Sequence, residues 1–240
     1  MPAAYDGALD SGLADLGVEL SRADRAAIEG HVRLLLAWNA AINLTAIRHP
    51  ADVALGHVVD SLTALPLLRE RGVDRFIDLG SGGGFPGLPL AIVLPAMRAL
   101  LVESVAKKVR FLDTVVDAGE LGGRVETYPG RAETLARDPI HRERWPAVTA
   151  RAVASLAGVA ELAFPLLVPG GIVVAWKRGD IDGELAAAQR ALAPLGGGTL
   201  ATRDVAVRAL RGHVLVLIRK DGPTPSAFPR DPAQRRRSPW

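Results

Sequence analysis

The stretch Arg75-Phe-Ile-Asp-Leu-Gly-Ser-Gly-Gly-Gly-Phe-Pro-Gly87 decides the fold of this chain. A β-prone run leads into a cluster of glycines, and residues with helical patterning follow. Glycines allow positive φ angles and let a ligand approach the main chain closely. The helix after them offers free N–H groups and the positive end of its dipole. The stretch therefore predicts a strand–turn–helix unit that binds a ligand at its turn.

Two motifs overlap in this turn. Gly82, Gly84 and Gly87 spell G-x-G-x-x-G, the dinucleotide fingerprint, whereas Gly80 to Gly84 spell Gly-x-Gly-x-Gly after an Asp-containing strand, as is common in methyltransferases. Glu103 ends the next predicted strand, where a carboxylate accepts hydrogen bonds from the ribose of an NAD or an adenosyl ligand. An NAD fingerprint usually opens its domain, but here more than 70 residues precede the turn, so a methyltransferase is favoured.

Outward from the turn, strands and helices alternate in the pattern of βαβ units around a parallel sheet. The last two strands are separated by a Gly-containing turn and predict a hairpin that adds one antiparallel strand. The predicted strands are Arg75–Leu79, Ala99–Glu103, Arg124–Tyr128, Val148–Val153, Ile172–Lys177, Leu200–Ala209 and His213–Lys220. The predicted helices are 22–41, Val53–Leu68, Gly87–Leu94, Val105–Ala118, Arg131–Arg137, Leu156–Leu167 and Ile181–Ala193.

We expect one domain over residues 1–240, made of an N-terminal helical segment (1–70), a methyltransferase core (71–220) and a basic tail (221–240). The tail is rich in Pro and Arg and poor in apolar residues, which predicts mobility. Of the net charge of +3, residues 219–240 carry +4 and the rest of the chain −1. A basic tail indicates a polyanionic partner; the alternative is a solvated terminus.

The composition, 49% apolar residues and no cysteine, supports a large core and excludes disulfides, zinc–thiolate sites and a cysteine nucleophile. The N-terminus lacks the pattern of a signal peptide. The uncharged stretch Leu162–Trp176 is too short to span a membrane and is broken by prolines and glycines. We expect a soluble, cytoplasmic protein without a metal site.

More specific motifs surround the glycine turn, above all Asn43-Leu-Thr45 and His57-x-x-Asp-Ser61. Together they resemble the family of ribosomal RNA small subunit methyltransferase G, also called glucose-inhibited division protein B, over about residues 30–220. The matching segments are Trp38–Arg48, His57–Ser61, Phe76–Leu90, Glu103–Ser104, Lys107–Leu112, Arg131–Glu133, Thr149–Ser155 and Ala175–Lys177.

The resemblance implies a Rossmann-like α/β class I methyltransferase fold: a mostly parallel seven-stranded sheet, a terminal antiparallel hairpin strand and extra N-terminal helices. It implies S-adenosylmethionine-dependent methylation of N7 of one guanine in the 530 loop of 16S rRNA. The expected partner is 16S rRNA, the small ribosomal subunit or its precursor, with no membrane and no obligate protein partner. The tail departs from the family pattern, since it reads Phe228-Pro-Arg230 and lacks the glycine that usually follows.

The resemblance also implies cofactor contacts at Gly80, Phe85, Ala132, Glu133 and Arg151, with Ala132 and Glu133 at the adenine. The glycine turn and the strand after it add Gly82, Gly84 and Glu103 to the predicted cofactor site. Candidate contacts to RNA are His57, Asp60, Lys107, Lys177 and Arg230. No general base is expected, because N7 of neutral guanine carries a free lone pair and no proton.

The sequence supports three alternative functions less well. An NAD-dependent oxidoreductase needs a Tyr-x-x-x-Lys pair, which neither Tyr5 nor Tyr128 provides. A Ser-His-Asp hydrolase built on His57, Asp60 and Ser61 would need a nucleophile elbow, which is absent; a packing role for these residues stays open. A non-catalytic rRNA-binding assembly factor is disfavoured by the intact glycine turn with Glu103.

Overall fold

A seven-stranded sheet in the order β3-β2-β1-β4-β5-β7-β6 forms the centre of the protein, described for all residues 1–240 by a computed structural model. Strands β1 to β5 are parallel, and β7 runs antiparallel to both β5 and β6. The strands are β1 (Arg75–Leu79), β2 (Arg98–Glu103), β3 (Val125–Pro129), β4 (Trp145–Arg151), β5 (Leu167–Arg178), β6 (Gly198–Asp204) and β7 (His213–Lys220). This topology confirms the predicted fold class.

Helices cover both faces of the sheet, and a helix also lies near each end of the chain. They are α1 (Ala3–Leu16), α2 (Arg22–Ile42), α3 (Pro50–Val53), α4 (Asp60–Leu62), α5 (Leu65–Glu70), α6 (Gly87–Val93), α7 (Ala106–Ala118), α8 (Ala132–Leu135), α9 (Leu156–Ala163), α10 (Asp182–Leu192) and α11 (Pro232–Arg237). A π-helical segment, Ala54–Val59, joins α3 to α4, and Arg208–Leu210 forms a 3₁₀ turn.

The alternation of side chains along each strand divides the core into two. Phe76 and Leu101 face the layer of N-terminal helices, while Ile77 and Leu100 face α8, α9 and α10. Because both faces are covered, the central strands are apolar at nearly every position, as buried parallel strands are. The apolar runs therefore mark these strands clearly in the sequence.

The first 20 residues, which contain no recognisable motif, include helix α1. Its buried residues Tyr5, Leu9 and Leu13 belong to the same core as the helices that follow. A Cβ at Gly12 would come within 2.7 Å of Val59, so the glycine allows close packing on the π-helical segment. Helix α1 thus supports the segment that carries His57.

The single helix predicted over Val53–Leu68 is interrupted in the structure. The backbone forms the π-helical turn Ala54–Val59 and then resumes as α4 and α5. Such π-bulges occur frequently at functional sites. The interruption changes which face of the helix each following side chain occupies, an effect that residue spacing alone does not reveal.

The tail differs from the predicted mobile segment because specific contacts hold it to the core. Arg142 donates hydrogen bonds to the carbonyls of Thr224 and Phe228, both at 3.0 Å. Arg230 pairs with the buried Glu161 at 2.7 Å, and Asp231 caps α11. These ion pairs and hydrogen bonds, together with Phe228 and Trp240 packed against the core, hold a tail that has few apolar residues.

One helical stretch, Pro50–Glu70, has the length and apolar character of a membrane span. Two-thirds of the most apolar part of this stretch is buried inside the protein, as in the core helix of a soluble protein.

Candidate active site

The glycine turn connects β1 to α6 through positive φ angles at Gly80, Gly82 and Gly84 (66°, 55° and 85°). A Cβ at Gly80 would lie 2.9 Å from Val153, so this glycine also allows the loop after β4 to approach. The fully buried Asp78 closes the turn by accepting hydrogen bonds from the N–H of Gly87 (3.2 Å) and from Thr149 Oγ1 (2.7 Å). Burial raises the pKa of Asp78 to about 6.

Replacing Gly84 by alanine should destabilise the protein. The positive φ strains any L-residue there, and the new Cβ would overlap Leu88 and lie 3.0 Å from His31 Nε2. Strain and overpacking of this kind cost about 1–3 kcal/mol. Denaturant unfolding measures the loss, with Gly123→Ala as the control because nothing lies within 4 Å of a Cβ there. Equal stability of the two variants would contradict the assigned geometry.

A first cavity of about 270 Å³ lies at the carboxyl ends of β1 and β2. Glu103, only 6% exposed, lies in its wall and accepts hydrogen bonds from the N–H groups of Gly82 (3.0 Å) and Val105 (2.8 Å). Each carboxylate oxygen has a second lone pair, so the side chain retains capacity for a diol. Gly80 and Ser104 line the cavity beside it.

The far end of the first cavity is formed by the loop after β3 and the start of α8. Ala132 and Glu133 line it, and the N–H groups at a helix start lack partners within the helix. The carboxylate of Glu133 is paired with Arg235 of the tail, which also lines the cavity. The tail therefore forms part of this wall.

A second cavity of about 340 Å³ lies at the ends of β4 and β5 and the start of β7. Its centre is Asp60, which is 3% exposed and accepts hydrogen bonds from Arg151 Nη1 at 2.8 Å and His213 Nδ1 at 2.9 Å. Trp176 Nε1 donates to the backbone carbonyl of Asp60 at 2.7 Å. These contacts join the π-bulged helix to three strands.

His57 is held in one tautomer within this cavity. Arg151 Nη2 lies 3.2 Å from His57 Nδ1, and Thr45 Oγ1 lies 2.7 Å from Nε2. Because a guanidinium only donates, Nδ1 accepts and Nε2 carries the hydrogen. Burial first, and then the charge of Arg151, lower the pKa of His57 to about 3. Its ring stacks on Phe85 with centroids 4.6 Å apart.

The Asn-Leu-Thr motif positions this histidine. Asn43 ends α2 in the left-handed conformation, and the side chain of Asn39 holds Thr45 by two backbone hydrogen bonds of 3.0 and 2.8 Å. The Thr45 hydroxyl then contacts His57. The two most specific motifs of the sequence thus meet in one contact.

The predicted cofactor residues fall into three groups. Gly80, Glu103, Ala132 and Glu133 line the first cavity. Gly82 and Gly84 shape the turn behind it, and Phe85 is buried, stacked between His57 and His31. Arg151 lines the second cavity instead, although Val153 and Ala154, two and three residues further along the chain, line the first.

The candidate RNA residues are more dispersed. His57, Asp60 and Lys177 line the second cavity, but Lys177 Nζ is paired with Glu184 at 2.6 Å. Lys107 is exposed on α7 and lines neither cavity. Arg230 also lines neither cavity, and its guanidinium donates to Glu161 and to the carbonyl of Ser238.

Two cavity residues that pair with predicted site residues, His213 and Arg235, are not indicated by the sequence. His213 begins a strand outside all the recognised motifs, and Arg235 lies in the divergent tail. Their partners, Asp60 and Glu133, lie 153 and 102 residues away in the chain. No local pattern signals such pairs.

Comparison with known proteins shows one family along the chain. The family model described as rRNA small subunit methyltransferase G matches residues 24–208. The protein named ribosomal RNA small subunit methyltransferase G from Symbiobacterium thermophilum is 41% identical over 233 residues, which cover 95% of this chain and 94% of that protein.

Solved methyltransferases share the fold at low sequence identity. The O-methyltransferase from Bacillus cereus in complex with SAH has a TM-score of 0.57 and 16% identity, covering 87% of this chain and 95% of its own. The O-methyltransferase TomG from Streptomyces achromogenes, in complex with SAM, has a TM-score of 0.53 and 19% identity, covering 85% and 92%.

Proposed function

Because the chain belongs to the rRNA small subunit methyltransferase G family, we propose that it methylates N7 of a guanine in the 530 loop of 16S rRNA, with S-adenosylmethionine as donor. The proposal is carried by one short segment, residues 151–154, that lies between the two cavities. Arg151 and Ala152 line the second cavity, and Val153 and Ala154 line the first. A donor and an acceptor bound on either side of this loop would be neighbours.

The residues of the first cavity fit an adenosyl ligand. Glu103 offers acceptors for the two ribose hydroxyls, and Glu133 offers an acceptor for the adenine amino group. The N–H groups at the start of α8 offer donors for a ring nitrogen. We assign the cofactor to Gly80, Glu103, Ala132 and Glu133 on this complementarity, with Gly82, Gly84 and Phe85 shaping the turn.

Transfer to N7 requires alignment and no deprotonation. When bound, the cofactor supplies a methyl group activated by its positively charged sulfur. Guanine N7 already presents a lone pair. His57 cannot take a proton readily, since Arg151 occupies its Nδ1 lone pair and its Nε2 carries a hydrogen toward Thr45. The protein's contribution is orientation of the reactants, worth roughly 7–11 kcal/mol in favourable cases.

The rate of methyl transfer should be independent of pH between 7 and 9, above the pKa of about 6 of Asp78 in the glycine turn. With a pKa of about 3, His57 is neutral throughout this range. A histidine pKa lowered on folding contributes stability that is complete above the unfolded value near 6.5 and is lost as pH falls toward 3. Single-turnover rates of methyl transfer, measured across this pH range at saturating RNA and cofactor, test the expected pH independence. A rise that follows one ionisation and disappears in His57→Gln would indicate a general base and a target atom other than N7.

The direct test is to incubate the purified protein with labelled S-adenosylmethionine and small subunits, or 16S rRNA, that lack the modification, and to map methylated guanines. A single N7-methylguanine in the 530 loop is expected. Binding of rRNA without methyl transfer would instead favour the assembly factor.

Because ribosomal RNA is the proposed substrate, we also propose that the protein acts in the cytoplasm.

A further inference from the structure

We propose that the second cavity holds the target guanine and that His213 selects this base by accepting a hydrogen bond from its 2-amino group. The inference rests on the proposed function. The side chains that line the cavity differ in whether their donors and acceptors are already paired, and they include His57, Asp60, Arg151, Lys177 and His213.

The position of His213 follows from the topology. Since β7 is antiparallel to β5, its first residue lies at the edge where the parallel strands end, and His213 pairs in register with Arg178. Arg151 of β4 pairs with Trp176 of β5. In the strand order β4-β5-β7, two strand spacings of about 4.8 Å each separate β7 from β4. The backbone of His213 therefore lies two strands from that of Arg151, on the side away from the first cavity.

The contact with Asp60 sets the tautomer of His213. A carboxylate oxygen accepts and cannot donate, so the hydrogen lies on His213 Nδ1, 2.9 Å from Asp60 Oδ1. In a neutral imidazole, a hydrogen on Nδ1 leaves Nε2 as an acceptor. No protein group pairs with Nε2, and the side chain is 19% exposed.

Among the side chains of the cavity, His213 Nε2 is the one acceptor that makes no hydrogen bond. Arg151, Lys177 and Arg178 only donate. His57 Nδ1 already accepts from Arg151, and each carboxylate oxygen of Asp60, which is 3% exposed, already accepts from Arg151 or His213. The side-chain acceptor most available to a base in this cavity is therefore His213 Nε2.

This arrangement complements guanine placed for methylation. Guanine carries N7 and O6 on one edge and its 2-amino donor on the other side of the base. With N7 turned toward the first cavity, the amino group points toward β5 and β7, where His213 lies. The donor side chains suit the O6 acceptor. Adenine lacks the 2-amino donor, so it would leave His213 Nε2 unpaired.

The test compares guanosine with inosine, which lacks only the 2-amino group, at the target position of otherwise identical RNA. For the wild-type protein we expect kcat/KM to be about tenfold higher for guanosine, the value of one such hydrogen bond. In His213→Leu the ratio should fall to near one, mainly because methylation of guanosine slows. In His213→Gln, whose amide oxygen can replace Nε2, much of the preference should return. His141→Leu, at the opposite edge of the sheet beside Arg75 and Arg98, should keep the wild-type ratio.

The ratio is insensitive to the fraction of folded protein, because both RNAs are tested on the same preparation. A wild-type protein that methylates guanosine and inosine equally, or a His213→Leu variant that keeps the preference, would overturn this inference alone. A wild-type protein that transfers no methyl group to guanine N7 would overturn the proposed function.

Discussion

Glu103→Ala should lose at least a hundredfold in affinity for S-adenosylmethionine and for its demethylated product. The carboxylate is the group assigned to the ribose hydroxyls, and hydrogen bonds to a charged acceptor contribute about 1.5–3 kcal/mol each. Two of them amount to about 3 kcal/mol or more, which corresponds to the stated loss. The same side chain also holds Gly82 and Val105, so the glycine turn loses a support as well.

Calorimetric titration with both ligands measures this effect. Glu126→Ala is the matched control, because Glu126 is exposed on the neighbouring strand β3 and lines neither cavity. Glu103→Gln, which keeps one acceptor oxygen, should fall between the alanine variant and the wild type. An unchanged dissociation constant in Glu103→Ala would show that the ribose is bound elsewhere.

Asp60→Ala should be the most destabilising single change in the second cavity. Its buried carboxylate holds Arg151 and His213, and removal leaves the Arg151 charge without its partner at 15% side-chain exposure. Breaking a buried pair in this way costs about 3–5 kcal/mol. For a protein of this size the melting temperature should fall by roughly 10 °C.

The same variant should also lose methyl transfer beyond its loss of folded protein, because Arg151 and His213 would no longer be held beside the loop of residues 151–154. Calorimetric melting, together with activity measured at a temperature where the variant is folded, separates the two effects. Asp52→Ala is the control, since Asp52 is exposed on α3 of the same helical stretch. A melting temperature within about 2 °C of the wild type would mean that the Asp60 network contributes little.

The fold could be predicted from the sequence because its signals are local. The boundaries of β1 and β7 agree with the prediction to the residue, and those of most other elements to within a few residues. Short apolar runs bounded by glycines predict strands, and the segments with helical spacing between them predict helices. Few topologies fit this alternation, because parallel crossovers are nearly always right-handed. The π-bulge at Ala54–Val59 was missed because its residues have ordinary helical spacing.

The cofactor side of the site was also accessible from the sequence. Gly80 and Glu103 are fixed by their places at the ends of consecutive parallel strands, and such ends meet at one edge of a sheet. The sequence therefore predicts that Gly80 and Glu103 lie close together, and both residues line the first cavity in the structure.

What the sequence by itself determined was the order of strands and helices, the glycine turn and the residues beside it, because period, turn chemistry and strand ends are properties of neighbouring residues. The tertiary structure alone decided that the tail packs on the core, that Arg235 pairs with Glu133 and that Asp60 joins Arg151 to His213. These are ion pairs and hydrogen bonds between segments about 90 to 150 residues apart. Such contacts are possible only after the sheet has assembled in the order β1-β4-β5-β7, so no local pattern encodes them.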